Sequence, residues 1–269
     1  MIKSALRNFI INRGFFLRNC SAQGDPSFYE IYPKTSLEEK RFFNIGPGNF
    51  KHKYWTTVDK LSDWYSEDNK NCDLEYDILK KDSLPIEDSS AEIIYSSHVI
   101  EHVWDEHAEF FMKESFRALK QGGIFRVTCP DIELAIKAVN NYDIGFFRAL
   151  GYPHSLKECF AWYCSNILDP EVPGKITSEE LNRIFTEKKD LHFVCEYLSK
   201  ISNLEFQNKR VGLHVNWFNE NKVIKMLEEA GFQIIEPSRF LQSQAAVLRD
   251  QRYFDSTFPM MSLYVEAVK

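Results

Sequence analysis

An α/β fold built on a mostly parallel sheet is what this sequence predicts, and three observations predict it. Short apolar runs alternate with helical stretches from residue 41 to 131, the pattern of parallel strands joined by crossovers. The first of these runs opens directly into Gly46-Pro47-Gly48. The chain then closes on the alternating run Ser262-Leu263-Tyr264-Val265-Glu266-Ala267-Val268, which completes the sheet as an antiparallel last strand.

Arg41-Phe42-Phe43-Asn44-Ile45 is continuous enough in apolar character to be a strand buried on both faces, and the glycines that follow turn it sharply. Trp55-Thr56-Thr57-Val58 is the second strand and ends at Asp59; Leu74-Glu75-Tyr76 is the third and ends at Asp77. After the turn-rich stretch 85–90, Ala91-Glu92-Ile93-Ile94-Tyr95 has the residue types of a central strand. Asp105 is the expected N-cap of a helix carrying Ala108, Phe111, Met112, Phe116 and Leu119 at helical spacing, and Gly122-Gly123 its expected stop. Ile124-Phe125-Arg126-Val127-Thr128 then runs to Cys129-Pro130-Asp131 as a fifth strand. Near the C-terminus, Val223, Met226, Leu227 and Ala230 line a helix capped by Gly231, followed by a strand over 232–235.

Between about 132 and 216 the periodicity is poorer and aromatic residues are dense. An insertion after a strand's carboxyl end lies over the crevice where open α/β sheets bind ligands, so it is expected to be a helical, aromatic lid. About two thirds of its rings should simply pack a satellite core. His154, His192, His214, Trp162 and Trp217 are its candidate acceptor-pocket residues.

Composition excludes several classes of function. The 269 residues are 44% hydrophobic and 27% charged, as in ordinary globular domains. No apolar run approaches the roughly 20 residues of a spanning helix. Six cysteines without a Cys-x-x-Cys pair fit reduced thiols and a cytoplasmic setting. Residues 1–24 hold Lys3, Arg7, Arg13 and Arg18 and no acid, so the rest of the chain sets 29 bases against 39 acids. That acidic body argues against a nucleic-acid partner. The basic arm over residues 1–30 is expected to be a transit peptide, a weakly membrane-seeking segment or a helix docked on the acidic body; residues 31–269 form the main domain.

The glycine loop lets backbone approach a ligand closely. It is not a dinucleotide site: Lys51 occupies the third glycine position of Gly-x-Gly-x-x-Gly, and Asp59 follows Gly48 by 11 residues rather than roughly 20. Carboxylates instead stand at strand ends, Asp59 to accept ribose hydroxyls and Asp77 to accept from an exocyclic amine.

The ordered set of Asn44-Ile45-Gly46-Pro47-Gly48, Asp59, Asp77, the run from Leu84 through Ser96-Ser97-His98-Val99-Ile100-Glu101-His102, and Leu119-Lys120-Gln121-Gly122-Gly123 resembles class I S-adenosylmethionine-dependent methyltransferases. The closest likeness is to the type 11-like branch, often associated with polysaccharide biosynthesis. The resemblance implies a Rossmann-like sheet and methyl transfer to a small-molecule or saccharide acceptor. It implies that Asn44, Gly46, Pro47 and Gly48 pass beneath the methionine part of the cofactor, that Asp59 binds ribose, that Asp77 and Ile78 face adenine, and that Ser96, Ser97 and His98 lie beside the sulfonium. Asn44 departs from the acid that usually opens the glycine motif, and Asn49-Phe50 from its third small residue. His98 is the first candidate base and Asp131 the second.

Two other readings stay open at this point. One is a cofactor-binding protein of the same fold without turnover. The other is a zinc hydrolase, because His98-Val99-Ile100-Glu101-His102 fits the His-x-x-Glu-His pattern of inverted zinc peptidases. That site needs both histidines on one long helix, whereas here the motif follows a strand; no metal is expected, and His102 is read as structural.

Overall fold

The computed structural model describes residues 26–62 and 72–269. Most of the predicted basic arm lies outside the described residues.

Among the described residues seven strands form one sheet: β1 (Phe42–Ile45), β2 (Trp55–Asp59), β3 (Leu74–Glu75), β4 (Ala91–Ser97), β5 (Leu119–Pro130), β6 (Ile234–Ser238) and β7 (Ser262–Val268). Their order is β3-β2-β1-β4-β5-β7-β6, and β7 alone runs antiparallel to its neighbours. Strand order reverses between β1 and β4, so the crevice for ligands opens above the carboxyl ends of β1, β2 and β4. β1 has the burial its sequence demands: all four of its residues are buried.

One face of the sheet packs Ile94, Phe125, Val127, Val265 and Ala267 against the helices α2 (Asp105–Ala118) and α9 (Glu220–Ala230). The other packs Phe42, Trp55, Ile93 and Tyr95 against Tyr29 and the segment holding Val247, Leu248 and Phe254; α1 (Lys34–Glu38) borders it. The insertion contributes six helices, α3 (Ile132–Asn140), α4 (Ile144–Ala149), α5 (Leu156–Cys164), α6 (Ser178–Lys188), α7 (Leu191–Lys200) and α8 (Leu204–Lys209), around a core of their own. Phe147, Phe160 and Tyr163 are buried in it, whereas Tyr142 and Phe193 are exposed.

Three local expectations change. Asp105 is the first residue of α2 and Trp104 its N-cap; the Asp105 carboxylate turns instead to Lys222 Nζ at 2.7 Å and Asn216 Nδ2 at 2.8 Å. Helix α2 stops at Ala118, before the glycines, because Leu119 already adopts extended backbone and pairs with Ala91. Gly122-Gly123 lies inside the irregular start of β5, where a Cβ on Gly123 would stand 3.0 Å from Ala91 O. The strand expected at 232–235 begins at Ile234, since Phe232 is drawn into the core against Phe116 and Phe125.

β5 also carries a residue that no apolar pattern explains. Arg126 is fully buried; its guanidinium pairs with Asp255 and Glu266 and donates to Ser238 Oγ and the carbonyls of Arg239 and Gln242. A buried cation needs every donor matched, and here the matching groups come from β6, β7 and the loops between them.

Candidate functional site

The chain leaves β1 at Ile45 and crosses to β2 through residues 46–54 with no helix between them. The 11-residue spacing to Asp59 anticipated this. Gly46 sits at φ +68°, donates its N–H to Val58 O at 2.9 Å, and passes so near Val99 that a Cβ would stand 2.3 Å from Val99 Cγ2. Gly48, at φ +52°, has open space where its Cβ would be. The first glycine is therefore required by close packing under the loop, and the second leaves room above it.

Two clefts flank this loop. One, of about 200 Å³, is lined by Gly46, Gly48, Asp59, Asp77, Ile78 and His98, with His102 and the insertion residues Gln207, Val211 and Gly212 opposite. The other, of about 580 Å³, has Asn44, Pro47, Ser97 and His98 on one side and Tyr253, Ser256 and Thr257 on the other. The structure thus brings together nine of the residues singled out in the sequence: Asn44, Gly46, Pro47, Gly48, Asp59, Asp77, Ile78, Ser97 and His98. Ser96 lies one residue away but is buried beneath the crevice.

The two strand-end carboxylates differ in what they already hold. Asp59 accepts a hydrogen bond from Lys60 N at 2.7 Å, and burial pushes its carboxyl up to about 6. Asp77 is more committed: Oδ1 accepts from Leu79 N at 3.1 Å, capping the turn Ile78–Lys80, and Oδ2 pairs with Lys60 Nζ at 3.0 Å. Lys60 also donates to Asn208 Oδ1 at 2.7 Å, tying the end of β2 to α8 and drawing the insertion over the cleft.

His98 follows the end of β4 in the left-handed region, φ +55°, a conformation that costs a residue with a Cβ. Its backbone N–H donates to Thr128 O at 2.8 Å. Its Nδ1 stands 3.1 Å from Glu101 Oε1 and its Nε2 2.7 Å from Ser262 Oγ. A histidine with one ring nitrogen against a buried carboxylate has the orientation of a general base held in one tautomer. Asp131 does not line either cleft; its carboxylate caps α3 by accepting from Glu133 N at 3.0 Å.

The helix that an inverted zinc peptidase requires is absent here: residues 100–102 form a single 3-10 turn after β4. Sequence reasoning missed how that turn is used. Glu101 is 1% exposed, and the imidazoles of His98, His102 and His214 gathered around it hold its carboxyl down at about 2 despite its burial. His214, from the end of the insertion, is held down to about 4 by burial and so is neutral at pH 7. His154 and His192 do not enter the clefts: His154 stacks on Trp162, and His192 pairs with Glu133 at 2.8 Å. Trp217 turns its Nε1 to Glu196. Gln207, Val211 and Gly212 carried no signal in the sequence, because their role is set by where the insertion returns.

Residues 56–127 match the family model for a methyltransferase domain. Over 48 residues the chain is 42% identical to a "probable S-adenosylmethionine-dependent methyltransferase" of Mycolicibacterium smegmatis, a match spanning 18% of this chain and 18% of that protein. Solved structures similar to the chain include a methyltransferase of Mesorhizobium loti, 15% identical with a TM-score of 0.41 over 91% of this chain and 96% of that one. Another is a possible histamine N-methyltransferase of Thermotoga maritima, 15% identical with a TM-score of 0.40 over 85% and 82%.

Proposed function

We propose that this chain, a member of the class I S-adenosylmethionine-dependent methyltransferases, transfers the cofactor's methyl group to a small-molecule acceptor, with saccharides as the acceptor class. The observation that carries the reading is Asp59: a carboxylate at the end of β2, facing the glycine loop across one cleft, held by a backbone N–H and raised toward neutrality by burial. A vicinal pair of ribose hydroxyls would supply the donors that it lacks.

The residues present fit the cofactor on their own geometry. Gly48 leaves open space over the loop, and Ser97 Oγ is buried at the cleft without a hydrogen-bond partner. Asp59 would take the ribose, Ile78 and the turn after Asp77 would flank the adenine, and Gly46 to Gly48 would run beneath the amino-acid part. When bound, S-adenosylmethionine supplies a methyl group already activated on a sulfonium, which leaves the protein alignment and the exclusion of water to provide. His98 would take a proton from an acceptor through Nε2, in exchange for its 2.7 Å contact with Ser262 Oγ, with Glu101 beside Nδ1. Lys60 and Asn208 tie the insertion to the end of β2 beside the cleft.

The test is ligand binding followed by turnover. S-adenosylhomocysteine should raise the melting temperature of the full chain, since a ligand that binds only the native state stabilises it, and Asp59→Ala should abolish the shift. Labelled methyl should then pass from S-adenosylmethionine to a member of a saccharide panel. No shift for the wild type at millimolar ligand would overturn the reading, and binding without transfer to any acceptor would favour the non-catalytic protein of the same fold.

A further inference from the structure

We propose that Glu101, His102 and His214 form a binding site for one divalent transition-metal ion on the wall of the cofactor cleft. Each offers a ligand atom, and the three atoms lie within 4.8 Å of one another. Ligand atoms bound tetrahedrally to a single ion at about 2.1 Å stand about 3.4 Å apart, so an ion would draw the widest pair in by at most about 1.4 Å, within reach of side-chain rotation.

The tautomers argue the point most strongly. His102 Nδ1 meets Leu213 O at 2.8 Å and His214 Nδ1 meets Tyr163 O at 2.8 Å. A carbonyl oxygen only accepts, so both Nδ1 atoms carry the hydrogen, and in the neutral ring each Nε2 presents a lone pair. His102 Nε2 faces Glu101 Oε1 at 3.8 Å, beyond hydrogen-bond length. Oε1 of this buried carboxylate meets His98 Nδ1 at 3.1 Å, and Oε2 has no hydrogen-bond partner. With both Nδ1 atoms turned to carbonyls, the two Nε2 atoms and the carboxylate are the groups left to hold a cation, whose charge would offset the cost of burying Glu101. The backbone carbonyls behind the two imidazoles are the outer partners that metal-binding histidines use to fix their orientation, and His98 Nδ1, 3.1 Å from Glu101, stands in the same outer position to the carboxylate.

Two imidazoles and a carboxylate select Zn²⁺, Mn²⁺, Co²⁺ or Fe²⁺ over Mg²⁺ or Ca²⁺, which prefer oxygen alone. His102 lines the cleft that also holds Asp59 and Gly46, whereas neither Glu101 nor His214 lines it, so a bound ion would meet the cleft on the His102 side, where it would serve to hold an acceptor with a hydroxyl oxygen. That use rests on the methyltransferase reading; the metal site does not. This set differs from the peptidase pattern, in which His98 and His102 would bind the ion from one helix.

The experiment uses the full chain without an affinity tag, stripped by chelator and titrated with Zn²⁺ by calorimetry and with Co²⁺ by visible absorption. S-adenosylhomocysteine binding is measured on every sample as a check of the folded cleft. The expected result is one ion per chain, with affinity lowered at least about tenfold in His214→Ala and in Glu101→Gln while S-adenosylhomocysteine still binds His214→Ala. Wild-type protein that binds S-adenosylhomocysteine but neither ion overturns the proposal, as does wild-type affinity in both variants. Metal binding by a wild type that ignores S-adenosylhomocysteine upholds the site and overturns the methyltransferase reading instead.

Discussion

His102 and His214, far apart in the sequence, meet with ring centroids 5.1 Å apart and planes inclined by 67°. The contact is fastened by backbone: Glu101 O accepts from both Val215 N at 2.9 Å and Asn216 N at 3.1 Å, so the insertion returns to the sheet at the turn that follows β4. Asn216 completes the joint. Buried to 2%, it donates through Nδ2 to Val103 O and Asp105 Oδ1 and accepts from Trp217 N and Lys222 Nζ. Asn216→Ala leaves several of these groups unmatched and should cost about 2 kcal/mol, read as a lower midpoint in urea denaturation.

The two loop glycines should not be equivalent. An alanine at 46 puts its Cβ into Val99 as well as into positive φ, whereas an alanine at 48 meets only the conformational penalty of about 1 kcal/mol. Gly46→Ala should therefore lower stability by clearly more than Gly48→Ala, and equal midpoints for the two variants would show that Val99 yields without cost.

Asp59 should trade stability for binding. Its folded carboxyl holds a proton to about 6 against an ordinary value of 3.8. Between those values the folded state binds more protons than the unfolded one, so this group makes stability fall as pH rises through the window and leaves the full penalty above it. Asp59→Asn should melt higher than the wild type at pH 7 without ligand, and no higher at pH 3.5.

The same shift predicts the pH dependence of binding. Protonation removes the acceptor that the ribose hydroxyls need, so S-adenosylhomocysteine affinity should weaken by up to about tenfold per unit as pH falls below about 6. Calorimetry across pH 4.5 to 8 reads this, and Asp59→Asn should flatten the profile.

Arg126 should be the most sensitive polar position in the sheet. Its removal strands Asp255 and Glu266 without their cation, and breaking a buried pair in this way costs about 3 to 5 kcal/mol. Arg126→Ala should lower the denaturation midpoint accordingly, with a smaller loss in Asp255→Asn.

Much of the scaffold was legible before any coordinates. Strands β1, β4 and β7, the helix ending at Gly231 and the carboxylates closing β2 and β3 all announce themselves through residue type and period, which record how deeply each element is buried. The ends of α2 and the start of β6 did not follow from such signals. Leu119 and Phe232 obey the sheet and its core rather than the nearest glycine.

The linear chain determined by itself that a glycine loop, two strand-end acids and His98 would share one end of a parallel sheet, because strand direction carries each strand's last residue to the same edge. Only the tertiary structure decided that His214 would face Glu101, that Arg126 would find its acids, and that Asp131 would cap a helix instead of entering the cleft. Those outcomes depend on where an insertion of more than eighty residues returns, and local periodicity holds no information about the path of a long excursion.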